Sequence, residues 1–418
     1  MRTRVPLTPA DSPSLLRQMN LAVVLREIRR SGPISRPAIA RETGLSNPTV
    51  THVVQLLLEK GYVAETDGPD SGAPRRPGPR AKYLVFRSDL GYLLGIDSGA
   101  DNTIAMLADL SGTILVRARV EHGRHPDRER VLAAIRATTA QVLQEAGIAA
   151  SRVEIVVIGT PGVSDPAAGH LLLAPQIEGW EGVDLAEELH DLVGCPVVVE
   201  NEANLSLLAE RWQGGAKDED HVVYVQFGYG IGGALLLGGE LYRGAAAAAG
   251  EFAYLSTGHP EEEDPERSSA GRFEWFAGGG AYQRLGAAAA MAPDGAVLLE
   301  RAGGDPNAIS ARVVFEAAAM GDPAALRIAD ELLTRAGRGI ANIAAVLNPG
   351  LILIGGGISA AGDLVLDTIA RVVTDLIPFP PRVELSRLGA AGTALGAVRR
   401  AMQLANDRLY DFTEEPHH

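Results

Sequence analysis

The sequence predicts an α/β protein of two lobes facing a cleft, preceded by a small winged helix-turn-helix. Three observations carry this. Residues 1–88 hold 14 Lys and Arg against 7 Asp and Glu, a balance of +7, whereas the rest hold 24 against 45, a balance of −21. The acidic part opens with a glycine-punctuated run of short apolar strands, and that opening occurs twice, as in a duplicated unit. At 418 residues the chain also exceeds one ordinary hydrophobic core. A basic module on an acidic body implies an anionic partner for the module alone.

Composition removes several function classes. No apolar run of about 18 residues occurs, so no membrane span is expected. Arg2 and Arg4 lie near the start, but no apolar segment follows them through Leu16, so no secretory signal is expected. The single cysteine, Cys195, rules out an intrachain disulfide and points to a reducing, cytoplasmic location. It equally rules out a zinc site built from several thiolates. His417 and His418 read as a tag remnant.

In the head, Leu15 to Arg30 has helical spacing, with Leu15, Met19, Val23, Leu25 and Ile28 on one side. Gly32-Pro33 ends that helix. Ser35 is placed to cap a second helix through about Thr43, and Gly44 is a natural left-handed stop. Ser46 is placed to cap a third helix, with Pro48 in its first turn, where a missing N–H costs nothing. Val50, Val53 or Val54, and Leu57 then face inward. Asn47, Thr49, Thr51, His52 and Gln55 face outward.

That is helix-turn-helix spacing, with the third helix able to enter a major groove. Tyr62 to Thr66 and Lys82 to Phe86 read as two strands, joined by a loop carrying Arg75, Arg76 and Arg80. Arginine in a Pro/Gly-rich loop suits phosphate or minor-groove contact. Candidate DNA contacts are therefore Ser35, Arg36, Ser46, Asn47, Thr49, Thr51, His52 and Gln55, with Arg75, Arg76 and Arg80 in the wing. A helical protein–protein module is the alternative, disfavoured by the outward polar residues and the wing arginines.

The body begins at Tyr92. Leu93 to Asp97, Ile104 to Ala108 and Ile114 to Val120 read as strands, followed by a helix over about Asp127 to Ala146 and a buried strand, Val153 to Ile158. The pattern returns at Val222 to Phe227 and Ile231 to Leu237, then helices, then Leu351 to Ile354 with Gly355-Gly356-Gly357. Between the two halves lies Glu200-Asn201-Glu202-Ala203-Asn204, after an apolar run (Cys195 to Val199) and before an amphipathic one (Leu205 to Trp212). Two carboxylates and two amides thus stand at the carboxyl end of a strand, where open α/β sheets bind ligands. These groups either do chemistry on a ligand or hold one.

Taken in order, Gly44-Leu45-Ser46 with Thr49-Val50, Gly95-Ile96-Asp97-Ser98-Gly99, Gly159-Thr160-Pro161-Gly162-Val163, Glu200 to Asn204, Gly228-Tyr229-Gly230-Ile231-Gly232, Gly250-Glu251-Phe252, and Asn348-Pro349 with Gly355-Gly356-Gly357 resemble the ROK family (repressors, open reading frames and sugar kinases), in its repressor form. The set covers almost all of residues 15–400. The resemblance implies an actin-like (ribonuclease H-like) two-lobed sugar-kinase fold, with a carboxy-terminal helix over about Thr393 to Ala405 packing on the first lobe. It divides the chain into a head (1–88), a first lobe (89–206 plus about 386–405) and a second lobe (207–385). It also implies a dimer or tetramer.

The resemblance supplies a chemical checklist for phosphotransfer. The family's catalytic aspartate falls at Glu202, one methylene longer, and a base displaced by about 1 Å can lose roughly 100-fold. The threonine of the first phosphate loop, which includes Asp97 and Gly99, falls at Asp101, whose charge repels phosphate. The small hydroxyl residue of the second loop falls at Tyr229, too large for backbone approach to phosphate. The zinc-binding histidine falls at Tyr254, and the cysteine-rich segment, at about Pro265 to Arg272, holds no cysteine. The acidic run Glu261 to Asp264 reads as a solvated loop.

Several alterations in one site imply a kinase-derived sensor without catalytic residues, metal or ATP. Groups matching sugar contacts remain: Pro161, Gly162, Asn201, Glu202, Glu251 and Glu274, with Tyr254 narrowing the pocket if it points inward. Trp180, Trp275 and Phe276 are candidates for an apolar wall, or for core. The expectation is a repressor that binds a double-stranded operator and a small effector, a sugar or sugar derivative. An ATP-dependent sugar kinase with a regulatory head is the alternative.

Overall fold

The computed structural model describes residues 12–67, 82–99, 101–123, 126–164, 171–173, 177–228, 230–256 and 271–409. The wing residues Arg75, Arg76 and Arg80, Tyr229, and the run Glu261 to Asp264 lie outside the described residues.

The head comprises α1 (Ser12–Ser31), β1 (Ile34–Ser35), α2 (Arg36–Thr43), α3 (Asn47–Glu59), β2 (Val63–Asp67) and β3 (Lys82–Phe86). Its three strands form an antiparallel sheet in the order β1-β3-β2. Gly44 stops α2 in the left-handed region at φ 72°, as its position requires. Ser46 caps α3: its Oγ accepts the Thr49 N–H at 3.2 Å, and Pro48 follows in the first turn.

Two expectations for the head are corrected. Ser35 stands at the N-cap position of α2, paired with Tyr83 in β1, but its side chain makes no capping hydrogen bond. The buried stripe of α1 is Leu21, Val24, Leu25 and Ile28, whereas Leu15, Met19 and Val23 are 52%, 54% and 38% exposed. Helical spacing allowed both stripes. The packing of α2, α3 and β3 against the second half of α1 selects one.

The first lobe holds β4 (Tyr92–Ser98), β5 (Asn102–Asp109), β6 (Ile114–Glu121), α4 (Arg128–Ala146), β7 (Val153–Thr160), β8 (Val163–Ser164), β9 (Leu171–Leu173), α5 (Leu185–Leu189), β10 (Val197–Asn201) and α6 (Glu202–Gln213). The second holds β11 (Val222–Phe227), β12 (Ile231–Leu237), β13 (Glu240–Tyr242), α7 (Arg272–Ala277), α8 (Gly279–Ala290), α9 (Ala296–Arg301), α10 (Ala311–Ala319), α11 (Pro323–Leu347), β14 (Leu351–Gly355), α12 (Asp363–Leu376) and β15 (Arg382–Leu385). The chain then returns to the first lobe with α13 (Gly392–Leu409).

The two sheets have one plan. In each, a three-stranded antiparallel meander continues into two parallel strands: β6-β5-β4-β7-β10 in the first, β13-β12-β11-β14-β15 in the second. This is the duplicated unit that the repeated glycine-punctuated openings predict, in the actin-like form that the family resemblance implies. Near-continuous burial along β4, β5, β7, β11 and β14 explains their apolar runs, since strands covered on both faces need no alternation.

Register places the ligand-facing ends together. Asp97 at the end of β4 is aligned with Gly159 on β7, and Gly159 with Glu200 on β10. Helix α6 then runs between the lobes. Leu205 and Leu208 pack with α13 on the first-lobe side, and Ala203 and Leu207 pack with Tyr224, Ala234 and Leu353 of the second. Its first residue, Glu202, therefore stands where the lobes meet. No helix among the described residues is long and apolar enough to cross a membrane.

Candidate functional site

Glu200 and Glu202 are separated by one residue and have different work. Glu200, at the end of β10, is buried and closes an ion pair across the lobes. Its Oε2 accepts Arg243 Nε at 2.9 Å and Nη2 at 2.6 Å, just past β13. Its Oε1 accepts the Asn204 amide at 2.9 Å and the Asn201 N–H at 3.2 Å. A buried carboxylate needs such partners, because desolvation without them is costly. Glu200 is thus removed from the ligand-facing pair and becomes the lock of the turn.

Asn201 caps α6. Its Oδ1 accepts the N–H groups of Ala203 (2.8 Å) and Asn204 (3.2 Å), and its Nδ2 donates to the Gly162 carbonyl at 2.8 Å. Most of its hydrogen-bonding capacity is spent internally. It holds the Pro161-Gly162 loop against the helix start, leaving one amide hydrogen for a ligand. Pro161 is buried and Gly162 is partly exposed at φ 96°, a conformation that glycine alone adopts readily.

Glu202 accepts a 2.7 Å hydrogen bond from Gln226 Nε2, at the end of β11 in the opposite lobe. Burial pushes its carboxyl up to about 7, and the Glu251 charge adds to this. Asp97 is driven well above the carboxylate range by burial, then by the Glu202 charge, with Arg119 opposing. Its Oδ1 is buried without a hydrogen-bond partner. Burial likewise raises Glu251. Glu274 is pushed to about 7 by burial, against the 2.8 Å bond it accepts from the Ile231 N–H, with Glu251 raising it further. These mutual effects bring Asp97, Glu202, Glu251 and Glu274 into one field. Carboxyls raised in this way can accept from, or donate to, hydroxyl groups.

Tyr254 stands near Glu251 and Glu274 and is 49% exposed. Trp180 is fully buried and donates from Nε1 to Thr160 Oγ1 at 2.9 Å. It is core rather than an apolar wall. Phe276 is buried, and Trp275 carries the Arg284 guanidinium 3.7 Å from its ring centroid. The fold family implies a zinc site; among the described residues no three His, Cys, Asp or Glu side chains are grouped to hold a metal ion. The family's histidine position is this exposed phenol, and the one thiol, Cys195, packs against the first-lobe core with burial pushing it up to about 11.

Two cavities adjoin at Gly357 and Ala360. One, of about 460 Å³, lies between the lobes and is bordered by Asp97, Asn102, Glu202, Gln226 and Thr393. The other, of about 1040 Å³, lies mostly in the second lobe. Phe227, Tyr282, Ile309, Phe315 and Leu364 line it, with Asp101 and Gly228 also on its wall. Asp101 thus borders the larger cavity.

The head presents α3 as expected. Asn47, Thr51, His52 and Gln55 are exposed, and Thr49 is partly so. Several already have local partners. Thr49 pairs with Ser46, the Thr51 hydroxyl donates to the Asn47 carbonyl, Gln55 donates to Glu59, and Arg36 pairs with Glu65 at 2.8 Å. Asn47 and His52 make no such side-chain contact and are the freest to meet base edges.

Sequence reasoning missed Gln226 and Arg243. Gln226 left a signal, as the one amide in the apolar run Val222 to Phe227. Arg243 left none, because its partner Glu200 is 43 residues away.

The ROK family profile matches residues 93–403 and the MarR family profile matches residues 22–72. A putative xylose repressor of Caldicellulosiruptor sp. is 28% identical over 92% of this chain and 96% of its own length. A ROK family glucokinase of Streptomyces griseus, solved with glucose and AMPPNP, is 32% identical, with a TM-score of 0.65 over 75% of this chain and 100% of that one. A ROK family transcriptional regulator homologous to the E. coli MLC protein shares the fold at 24% identity, with a TM-score of 0.72 over 94% of this chain and 98% of that one.

Proposed function

The chain belongs to the ROK family, and from that premise we propose that it is a DNA-binding repressor whose kinase-derived body senses a sugar without phosphorylating it. The observation that carries this is the extent of the likeness. The repressor relative matches head and body together, whereas the glucokinase is matched along its whole length by 75% of this chain. The part this chain adds is a winged helix with α3 exposed.

The effector is taken to be an aldose or a derivative, bound between the lobes. Glu251 and Glu274 would accept ligand hydroxyls, Pro161-Gly162 would border the ring, and Asn201 would hold that loop in place. Glu202 would be a hydrogen-bonding group rather than a base. It is longer than the family's aspartate, and the Gln226 bond draws it toward the second lobe. The Asp101 carboxylate on the cavity wall opposes a triphosphate. On this reading no cofactor or metal is required. The protein acts as a dimer or higher oligomer on a palindromic operator, with lobe closure changing the spacing of its heads. A ligand drives that change only by binding one state better than the other.

A second reading, a sugar kinase with a regulatory head, is favoured by one observation. The 1040 Å³ cavity opens beside Asp101 and Gly228, and a carboxyl near 7 at Glu202 is poised for general-base work. A coupled ADP-release assay over hexoses, aminosugars and pentoses separates the two. The sensor reading expects no sugar-dependent turnover. Turnover abolished by Glu202→Gln establishes the kinase instead.

A further inference from the structure

Helix α13 touches the cleft at one end and the DNA-binding head at the other. At the cleft end, Gly389, Ala390 and Thr393 line the inter-lobe cavity. Thr393 Oγ1 lies 3.1 Å from Ser206 Oγ on α6, the helix that begins at Glu202. At the head end, Arg29 of α1 donates to the Asn406 side chain on α13 and to the Leu110 carbonyl in the turn after β5. Its guanidinium lies 5.0 Å from the centroid of the Phe86 ring. Phe86 packs on both the head core and the α13-side core, and Leu409 packs on the head core.

Between these ends the helix is closely fitted. A Cβ on Gly396 would stand 1.8 Å from the Leu205 carbonyl oxygen, and one on Gly95 would stand 2.6 Å from the Ala394 carbonyl oxygen. A helix of 18 residues, roughly 27 Å long, packed at backbone distance cannot deform locally to absorb a shift at one end. A shift at one end would therefore be passed along it as a small translation of the whole helix.

Two adjacent arginines near its middle look in different directions. Arg400 is half-buried in the field of the Arg243–Glu200 pair that crosses the lobes. Arg399 is half-buried in the field of Arg29 in the head. The same stretch of helix is therefore exposed to changes in lobe position and in head position.

We propose that α13 couples the cleft to the head, and that the Arg29–Asn406 contact is where lobe movement enters the DNA-binding domain. The proposal rests on the DNA-binding reading but needs no knowledge of the effector. Coupling free energy is reciprocal, so operator binding must be felt in the cleft.

The test uses the full-length chain and a duplex that it selects from a random pool. Amide hydrogen exchange is followed in peptides covering residues 200–206 and 386–395, with and without saturating duplex. In the wild type, exchange in both peptides changes by about fivefold or more, the low end of ordinary coupling. In Arg29→Gln and in Asn406→Ala that response falls below about twofold, while each variant still binds the duplex and keeps its cooperative thermal transition. A wild type that binds duplex without a response in the cleft overturns the proposal, as do variants that respond like the wild type. A chain that selects no duplex overturns the DNA-binding reading, and this proposal with it.

Discussion

Glu202 and Glu200 show how far neighbours in sequence can differ in role. The pair reads as two carboxylates at a strand end, and the structure assigns one to the cleft and one to a lock. For Glu202 the folded-state pKa is about 7 against an ordinary 4.5, so the folded chain holds this proton more tightly than the unfolded chain. Its contribution to stability is full below about 4.5 and is lost as pH rises through about 7. Glu202→Gln should therefore gain on the wild type by roughly 2–3 kcal/mol between about pH 5 and about pH 8, as read by urea denaturation. A stability difference that does not change with pH contradicts the buried carboxyl. For Glu200 the expectation is set by its partner. Arg243→Met should cost roughly 3 kcal/mol by leaving a buried carboxylate without its charge partner, and adding Glu200→Gln should recover part of that. A double variant no more stable than the single one excludes the lock. The lock was not legible in sequence because it joins the two lobes. The cap at Ser46 was legible, because it joins residues three apart.

Strands and helices were readable where periodicity and caps are local. The strands β4 to β7, β10 to β12 and β14, and the start of α4 at Asp127, follow from apolar runs, glycine turns and a side chain that bonds the first free N–H, whereas the short β13 and β15 were not read. The face of α1 was not readable, since Leu15, Met19 and Val23 are as well spaced as Leu21, Val24 and Ile28. Nor did the glycines announce their purpose. Gly95 was read only as part of the Gly95-to-Gly99 motif and Gly396 was not singled out, yet their use is to let α13 lie against β4 and α6 at backbone distance. Gly396→Val should therefore destabilise by about 1–3 kcal/mol or more, visible as a lower urea midpoint. A variant with an unchanged midpoint shows that α13 has room to shift, against the close fit of its backbone. The wing lies outside the described residues, yet its chemistry is explicit in sequence. Replacing Arg75, Arg76 and Arg80 by alanine should weaken DNA binding at every sequence and flatten the dependence of affinity on salt, by about one counterion for each phosphate no longer neutralised. An unchanged salt slope removes the wing from the interface.

At the scale of the molecule, the fold and its ROK relationship were legible because an ordered series of short motifs fixes a duplicated plan. The case for a sensor was already made in sequence by Glu202, Asp101, Tyr229 and Tyr254, but the contacts that cross the cleft were not legible there. The Gln226 bond to Glu202, the carboxyl field around Glu251 and the exposure of Tyr254 all required the lobes to be placed side by side. Together they make a body that keeps groups able to hold hydroxyls, joined through α13 to a head that presents a recognition helix. The central claim is that sugar occupancy is read as a change in DNA affinity. The most direct test is an anisotropy titration of the full-length chain on its selected duplex, with and without each of a panel of aldoses including D-xylose and D-glucose. At least one sugar should change operator affinity by about fivefold or more, with no ADP released when ATP is present. Operator affinity indifferent to every sugar, alongside sugar-dependent ADP release, would contradict it.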